Sequence, residues 1–273
     1  MGRAPVTVQA VAFGAAIASA GCKFEPVPLA GDGPVDVPVD VPTEQPRPER
    51  IAGATALWQF RETAGPMVAD AVMSNPVNLT VQAGSLVSFG DGAITFDARS
   101  QVDSATSPHV NTDVRSSNAV TFEAWVTPAN NTQGAGTYTV IAGITATVLL
   151  RNVDLEQRGP VWAARVRTTG TTTNGDPIIA GTIPVDTTKP THLAVVADGS
   201  RRVLYVNGTP FLSTPAGGGS MNWDANYKVR LGDESGGDRH WQGKLWLLAL
   251  YDQALDEAMI RQNYLAGYDC PDC

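Results

Sequence analysis

The sequence predicts an all-β, antiparallel two-sheet sandwich with one short helix near its C-terminus, and three observations predict it. After residue 50, runs of four to eight residues rich in Val, Thr, Phe, Tyr and Trp alternate with clusters of Gly, Pro, Asn and Asp. No helical period is sustained before residue 255, and no strand–helix–strand alternation appears. The N-terminal region set aside, about 220 residues remain, an ordinary size for one β-sandwich and ample for a core.

The N-terminal region reads as an address. Arg3 supplies a positive charge, Val6 to Ile17 an apolar stretch, and Ala18 to Gly21 a small-residue cleavage region, so residues 1–21 form a signal peptide. Two cleavage patterns fit. Ala18-Ser19-Ala20 suits release of a soluble secreted chain, whereas Ser19-Ala20-Gly21-Cys22 resembles a bacterial lipobox that would lipidate Cys22. Ser19 departs from the lipobox, where a larger aliphatic residue is usual. The chain has three cysteines, Cys22, Cys270 and Cys273, and lipidating Cys22 removes the odd thiol. Lys23 after the cysteine resembles lipoproteins sent on to an outer membrane. The expected location is therefore the outer membrane or cell surface, with soluble secretion as the alternative.

From Lys23 to Arg50 the chain holds 7 of its 19 prolines and repeats Val-Asp-Val-Pro, so residues 22–50 read as a lipidated cysteine and an extended tether. Strands follow at Leu57–Phe60, Ala93–Phe96, Val120–Val126, Thr137–Ile144, Val161–Arg167, His192–Ala197, Arg202–Val206, Lys228–Leu231 and Lys244–Tyr251. Asn207-Gly208 sits between two apolar runs, and both residues tolerate positive φ, which predicts a tight hairpin turn there. The helix has Asp256 at its N-cap, Met259, Ile260 and Tyr264 on one face, and Gly267 at its end. Residues 269–273 are a tail containing the cysteine pair. Formal charge is -8, carried as +1 in residues 1–22, -3 in 23–50 and -6 in 51–273. A chain so evenly acidic has few cations to gather into the basic face that phosphate binding wants, which argues against nucleic acid as a partner.

Residues 54–266 resemble the laminin-G-like, concanavalin A-like jelly rolls of bacterial surface and secreted proteins. The resemblance rests on blocks in the family's order. They are Trp58-Gln59-Phe60 with Gly65 and Asp70, Gly92 to Asp97, and Val120 to Val126 with its signature Trp125. Thr191 to Val195, Tyr205 to Gly208, Leu231-Gly232, Gly243 to Leu245 and Ala249 to Leu255 complete them. It implies a jelly-roll domain over 51–268, acting as a non-catalytic recognition or adhesion module for carbohydrate or a protein partner. A divergent glycoside-active enzyme and a structural envelope lipoprotein are the alternatives. Trp246-Leu247 stands where relatives often carry an acidic pair.

Glycosidases on this sandwich place carboxylates at alternate positions of one strand, in a pattern like Glu-x-Asp-x-Glu. The nearest match is Asn152-Val153-Asp154-Leu155-Glu156, where Asn152 replaces the first carboxylate, and a nucleophile plus an acid are both needed. No catalytic residue is assigned. In Val120–Val126, Glu123 and Trp125 alternate away from the apolar set, which places them on a sheet face where they could contact a ligand or pack beneath a loop. Arg165 and Arg167 alternate in the same way and predict a solvated strand face. Asp233, Glu234 and Asp238 gather in a Gly-containing loop, read either as a solvated acidic loop or as hard oxygen ligands for Ca²⁺. Cys270 and Cys273 suit a small structural disulfide in an oxidising compartment. His109, His192 and His240 are scattered singly, with no zinc signature.

Overall fold

The structure, a computed structural model, describes residues 47–215, 217–236 and 238–269. The expected signal peptide, Cys22, most of the expected tether and the Cys270/Cys273 pair lie outside the described residues. In chain order the elements are β1 Ala56–Trp58, β2 Met67–Val68, β3 Leu79–Val81, β4 Val87–Gly90, β5 Ala93–Phe96, β6 Val102–Ser104 and α1 Val110–Ser117. Then come β7 Val120–Pro128, β8 Thr139–Thr147, β9 Leu150–Arg158, β10 Val161–Val166, β11 Ile179–Pro184 and β12 Thr191–Ala197. The chain continues through β13 Arg202–Val206, β14 Thr209–Thr214, β15 Lys228–Leu231, β16 Gly243–Tyr251 and α2 Glu257–Ala266.

Two antiparallel sheets form. The first runs β14-β13-β12-β7-β16-β5-β4, with β1 also on β16, and the second runs β11-β10-β9-β8-β15-β6-β3-β2. Period-two alternation in the central strands puts one row of each into the sandwich core. Phe122, Leu193, Val195, Leu248 and Leu250 come from the first sheet, and Ile141, Ile144, Val153, Leu155 and Val229 from the second, all fully buried. A second, smaller core lies on the outer face of the first sheet, where Leu247, Ala249, Tyr251, Val203 and Tyr205 meet Leu255 and Ile260 of the C-terminal region.

The turn at Asn207-Gly208 has φ of 51° and 73°, as the hairpin between β13 and β14 requires. Helix α2 is capped as its sequence predicts: the Asp256 side chain accepts from Met259 N, and Gly267 donates its N–H to the Tyr264 carbonyl. Its buried face is Ile260, Asn263 and Ala266, whereas Met259 is exposed, a correction to the expected face. A second helix, α1, was not legible. It is eight polar-rich residues long, too short for a period to stand out, and it buries only Val110, Asn111 and Val114. Asn118 in the left-handed region ends it by donating its N–H to the Val114 carbonyl.

Two bulges re-aim side chains near functional candidates. Between β16 and β7 the register shifts at Leu245/Leu247, so Trp246 is the extra residue and leans onto the outer face. Between β9 and β8, Arg151 and Val153 pair with consecutive residues Thr145 and Ile144, so Asn152 is extra.

Candidate functional site

On the outer face of the first sheet, β7 contributes Thr121, Glu123 and Trp125, and β12 contributes His192. Glu123 is fully buried and makes an ion pair with Arg50. Its remaining acceptor sites face His192 Nε2 at 3.1 Å and Asn263 Nδ2 at 3.1 and 3.2 Å. Arg50 also donates to the Gly267 carbonyl at 2.7 Å. Burial pushes the Glu123 carboxyl up, but the combined pull of Arg50, His192 and Asn263 outweighs it and holds the group below its ordinary value. Burial, then the Glu123 charge, pushes the Tyr251 hydroxyl up. Ligand contact by Glu123 is therefore corrected: helix α2 and the chain at Arg50 cover it, because an apolar outer row on β12 and β16 has to be buried too. Arg50, counted with the tether from the sequence, is built into the fold, and Arg47 pairs with Asp269 of the tail.

Trp125 is 6% exposed and forms the base of an aromatic cluster. Tyr264 stacks on it at 5.6 Å and 12°, and Tyr268 meets it edge-on at 5.4 Å. Tyr268 in turn lies 4.8 Å from Trp246, whose indole N–H donates to Thr127 Oγ1 at 3.0 Å. Lys244 sits over the Trp246 ring at 5.3 Å and 3.6 Å from Asp91. Tyr264, Tyr268 and Trp246 are half-buried, so each presents part of its ring to solvent. Two depressions of about 300 Å³ flank Tyr268. One is lined by Gln59, Arg61, Asp91 and Asp269, the other by Arg47, Trp125, Tyr264 and Leu265. Tyr268 was not singled out in the sequence, Tyr264 only as part of the helix face, and Trp246 only through the Trp246-Leu247 departure.

The second sheet carries a charged cluster on its outer face. Asp154 and Glu156 do point the same way, as period two requires, but both are fully buried. Arg151 pairs with Asp154 and reaches Glu156 at 3.2 Å and Glu234 at 3.0 Å. Arg165 and Arg158 hold Glu156 at 2.8 and 3.1 Å. Arg151, Arg158, Arg165 and Arg239 all stand within 4.3–5.3 Å of the Tyr138 ring. Arg165 is thus no solvated strand residue, and Arg167 lies past the end of β10 at the sandwich rim. Burial, then the charge of Asp154, pushes Glu156 up to about 7 against the pull of its arginines. Burial disfavours the Arg151 charge, yet Asp154 and Glu156 hold its pKa above the ordinary value.

Asp233, Glu234 and Asp238 do not converge. Glu234 faces Arg151 and Arg239, and Asp233 accepts from Glu234 N and Arg239 N and sits 2.9 Å from His240. Asp238 turns outward, its side chain 68% exposed. The two buried carboxylates of the expected calcium set are drawn to arginine, His240 and backbone N–H, and among the described residues no three His, Cys, Asp or Glu side chains gather as metal ligands. His109 pairs with Asp113 on α1.

A laminin-G-type family model, described as the concanavalin A-like lectin/glucanases superfamily, matches residues 91–261. The chain belongs to this family. The concanavalin A-like fold extends beyond the matched stretch, since β1 pairs with β16 and β2 and β3 complete the second sheet. Among solved structures, a Trypanosoma rangeli sialidase carrying a covalent 2,3-difluorosialic acid intermediate matches at TM-score 0.61 and 15% identity, over 82% of this chain and 34% of its own. The receptor-binding domain of botulinum neurotoxin type G matches at TM-score 0.57 and 10% identity, over 78% of this chain and 51% of its own. That of a botulinum C/D mosaic serotype matches at 0.60 and 9%, over 79% and 51%. This chain thus spans about a third of the sialidase and half of the toxin domains, and the likeness is one of concanavalin A-like fold. No curated protein matches the sequence.

Proposed function

We propose that the domain recognises carbohydrate without covalent chemistry, through the aromatic platform around Tyr268. One observation carries this reading: Trp246, Tyr264 and Tyr268 reach solvent side by side, between two depressions with polar linings. An aromatic ring offers a flat apolar surface to one face of a sugar ring, while Arg47, Asp91 and Asp269 at the margins match hydroxyl groups. Membership of a superfamily named for lectins and glucanases supports carbohydrate as the ligand class. The enclosure of Asp154 and Glu156 supports a non-catalytic role, because a general acid or nucleophile must touch its substrate. In this reading Cys22 carries lipid and the Pro-rich segment spaces the domain from the membrane; Cys22→Ser then moves the protein from the membrane fraction to the soluble one.

A glycan array probed with the full-length protein tests the proposal. Bound glycans are expected, and Trp246→Ala and Tyr268→Ala should each abolish them while leaving the melting temperature within about 3 °C, as for half-exposed side chains. Glycans retained by both variants would overturn the site. Hydrolysis of a labelled polysaccharide that vanishes in Glu156→Gln would overturn the non-catalytic role.

A further inference from the structure

The rim of the sandwich beside α1 carries a concavity of about 340 Å³, remote in sequence from the platform, lined by Arg115, Arg167, Asn222, Trp223, Asp224 and Asn226. Its two arginines contrast with the cations that the fold neutralises. Most described cations are matched to a carboxylate, as at Arg50, Arg151, Arg158, Arg165 and Arg230. Arg115, in the last turn of α1, and Arg167, just past β10, have no ion pair among the described residues. Arg167 lies 5.9 Å over the Tyr227 ring, touches its hydroxyl at 3.4 Å, and keeps an enclosed Nε with no hydrogen bond. In a chain of charge -8, two guanidiniums facing one concavity against the single carboxylate Asp224 make a local positive site.

The loop that builds the concavity is held in place from within. Asn152, the extra residue of the β9 bulge, donates to the Asp224 carbonyl and accepts from Asp224 N, both at 2.9 Å. Asn111 of α1 donates to the carbonyls of Ala225 at 3.2 Å and Tyr227 at 2.8 Å, and Asn118 accepts from Met221 N at 2.7 Å. Trp223 donates its indole N–H to the Arg167 carbonyl at 3.1 Å, which fixes the wall against the arginine. Asn111 and Asn152 are fully buried. A site whose support is buried and hydrogen-bonded loses little freedom when a ligand arrives.

We propose that this rim concavity binds the carboxylate of an acidic sugar residue. Guanidinium groups match a planar carboxylate by paired charge-assisted hydrogen bonds. A bare anion would leave most of the volume empty, whereas the Asn222 and Asn226 amides and Asp224 offer donors and acceptors suited to ring hydroxyls. The site is independent of the aromatic platform, so either can fail alone.

Calorimetric titration of the full-length protein with trigalacturonate, with its fully methyl-esterified form, and with inorganic sulfate tests this. Binding of the acid is expected, weakening as ionic strength rises, with the ester and sulfate bound at least about tenfold more weakly. Arg115→Gln, on an exposed helix position, and Arg167→Lys should each raise Kd about tenfold or more with the fold intact by circular dichroism. Trp246→Ala should leave this binding unchanged, which separates it from the platform. Equal affinity for acid and ester, sulfate competing as well as the sugar acid, no binding, or wild-type affinity in both arginine variants would each overturn it.

Discussion

Glu123 illustrates what one buried carboxylate demands of its neighbours. With no solvent to stabilise its charge, it draws Arg50 from the N-terminal segment, His192 from β12 and Asn263 from α2, three residues far apart in sequence. Removing Arg50 leaves the charge in place with its main counter-ion gone. Arg50→Ala should therefore cost about 3–5 kcal/mol of unfolding free energy in urea denaturation, with Arg50→Lys recovering part of it. A loss under about 1 kcal/mol would mean the pair is not formed in solution. At this scale the sequence showed that Glu123 and Trp125 share the face opposite Phe122. Which partners close that face was not readable, since nothing local marks Arg50 as different from Arg47 beside it. Asn152 is the converse case: its mismatch to a carboxylate pattern was visible, but its work as a support for the Asp224 loop needed the bulge to be seen.

The hairpin of β13 and β14 and the helix α2 meet at one point, where Gly208 lies against Tyr264. Gly208 has φ of 73°, and a Cβ there would press into the Tyr264 Cβ and ring at 2.9–3.0 Å. Gly208→Ala adds left-handed strain to that overlap, so the melting temperature should fall by at least about 3 °C in a thermal scan. Because Tyr264 stacks on Trp125, glycan binding at the platform should weaken along with it, and an unchanged scan would contradict the packing. Most strands were legible at this scale: Ala93–Phe96, Arg202–Val206 and Lys228–Leu231 agree with the sequence reading residue for residue. Very short strands such as Met67–Val68 at the sheet edge and Val102–Ser104 inside it were not, because two or three residues carry no period, and pairing with neighbours alone defines them.

Across the whole molecule the largest electrostatic feature is the enclosed cluster on the second sheet. Glu156 is raised to about 7, with burial the main cause, and Glu234 and Asp233 are raised in the same direction by burial. Between the ordinary glutamate value of 4.5 and about 7, the folded chain holds a proton at Glu156 that the unfolded chain has released. Folding is then linked to proton uptake, and stability falls as pH rises through that window. Glu123 has the opposite sign and acts below 4.5, where its contribution is lost as pH falls through its lowered value. Thermal melts should thus show a maximum near about pH 5 and a decline toward about pH 7.5, with Glu156→Gln flattening the decline. A wild-type profile rising over that interval would exclude a raised carboxyl in the cluster.

The sandwich, the Asn207-Gly208 turn and the capped C-terminal helix are all written in the chain, because alternation, turn chemistry and caps are local properties. The family blocks added the jelly-roll class. Tertiary structure alone decided which carboxylates are open to solvent. Asp154, Glu156, Asp233 and Glu234 look like surface acids in a strand and a loop, and become enclosed partners of Arg151, Arg158, Arg165, Arg239 and His240 once the strands align. It also decided which cations line a concavity without an ion pair among the described residues, Arg115 and Arg167, and where aromatics surface, around Tyr268. Burial and charge pairing are sums over neighbours from distant parts of the chain, and those neighbours exist only after folding.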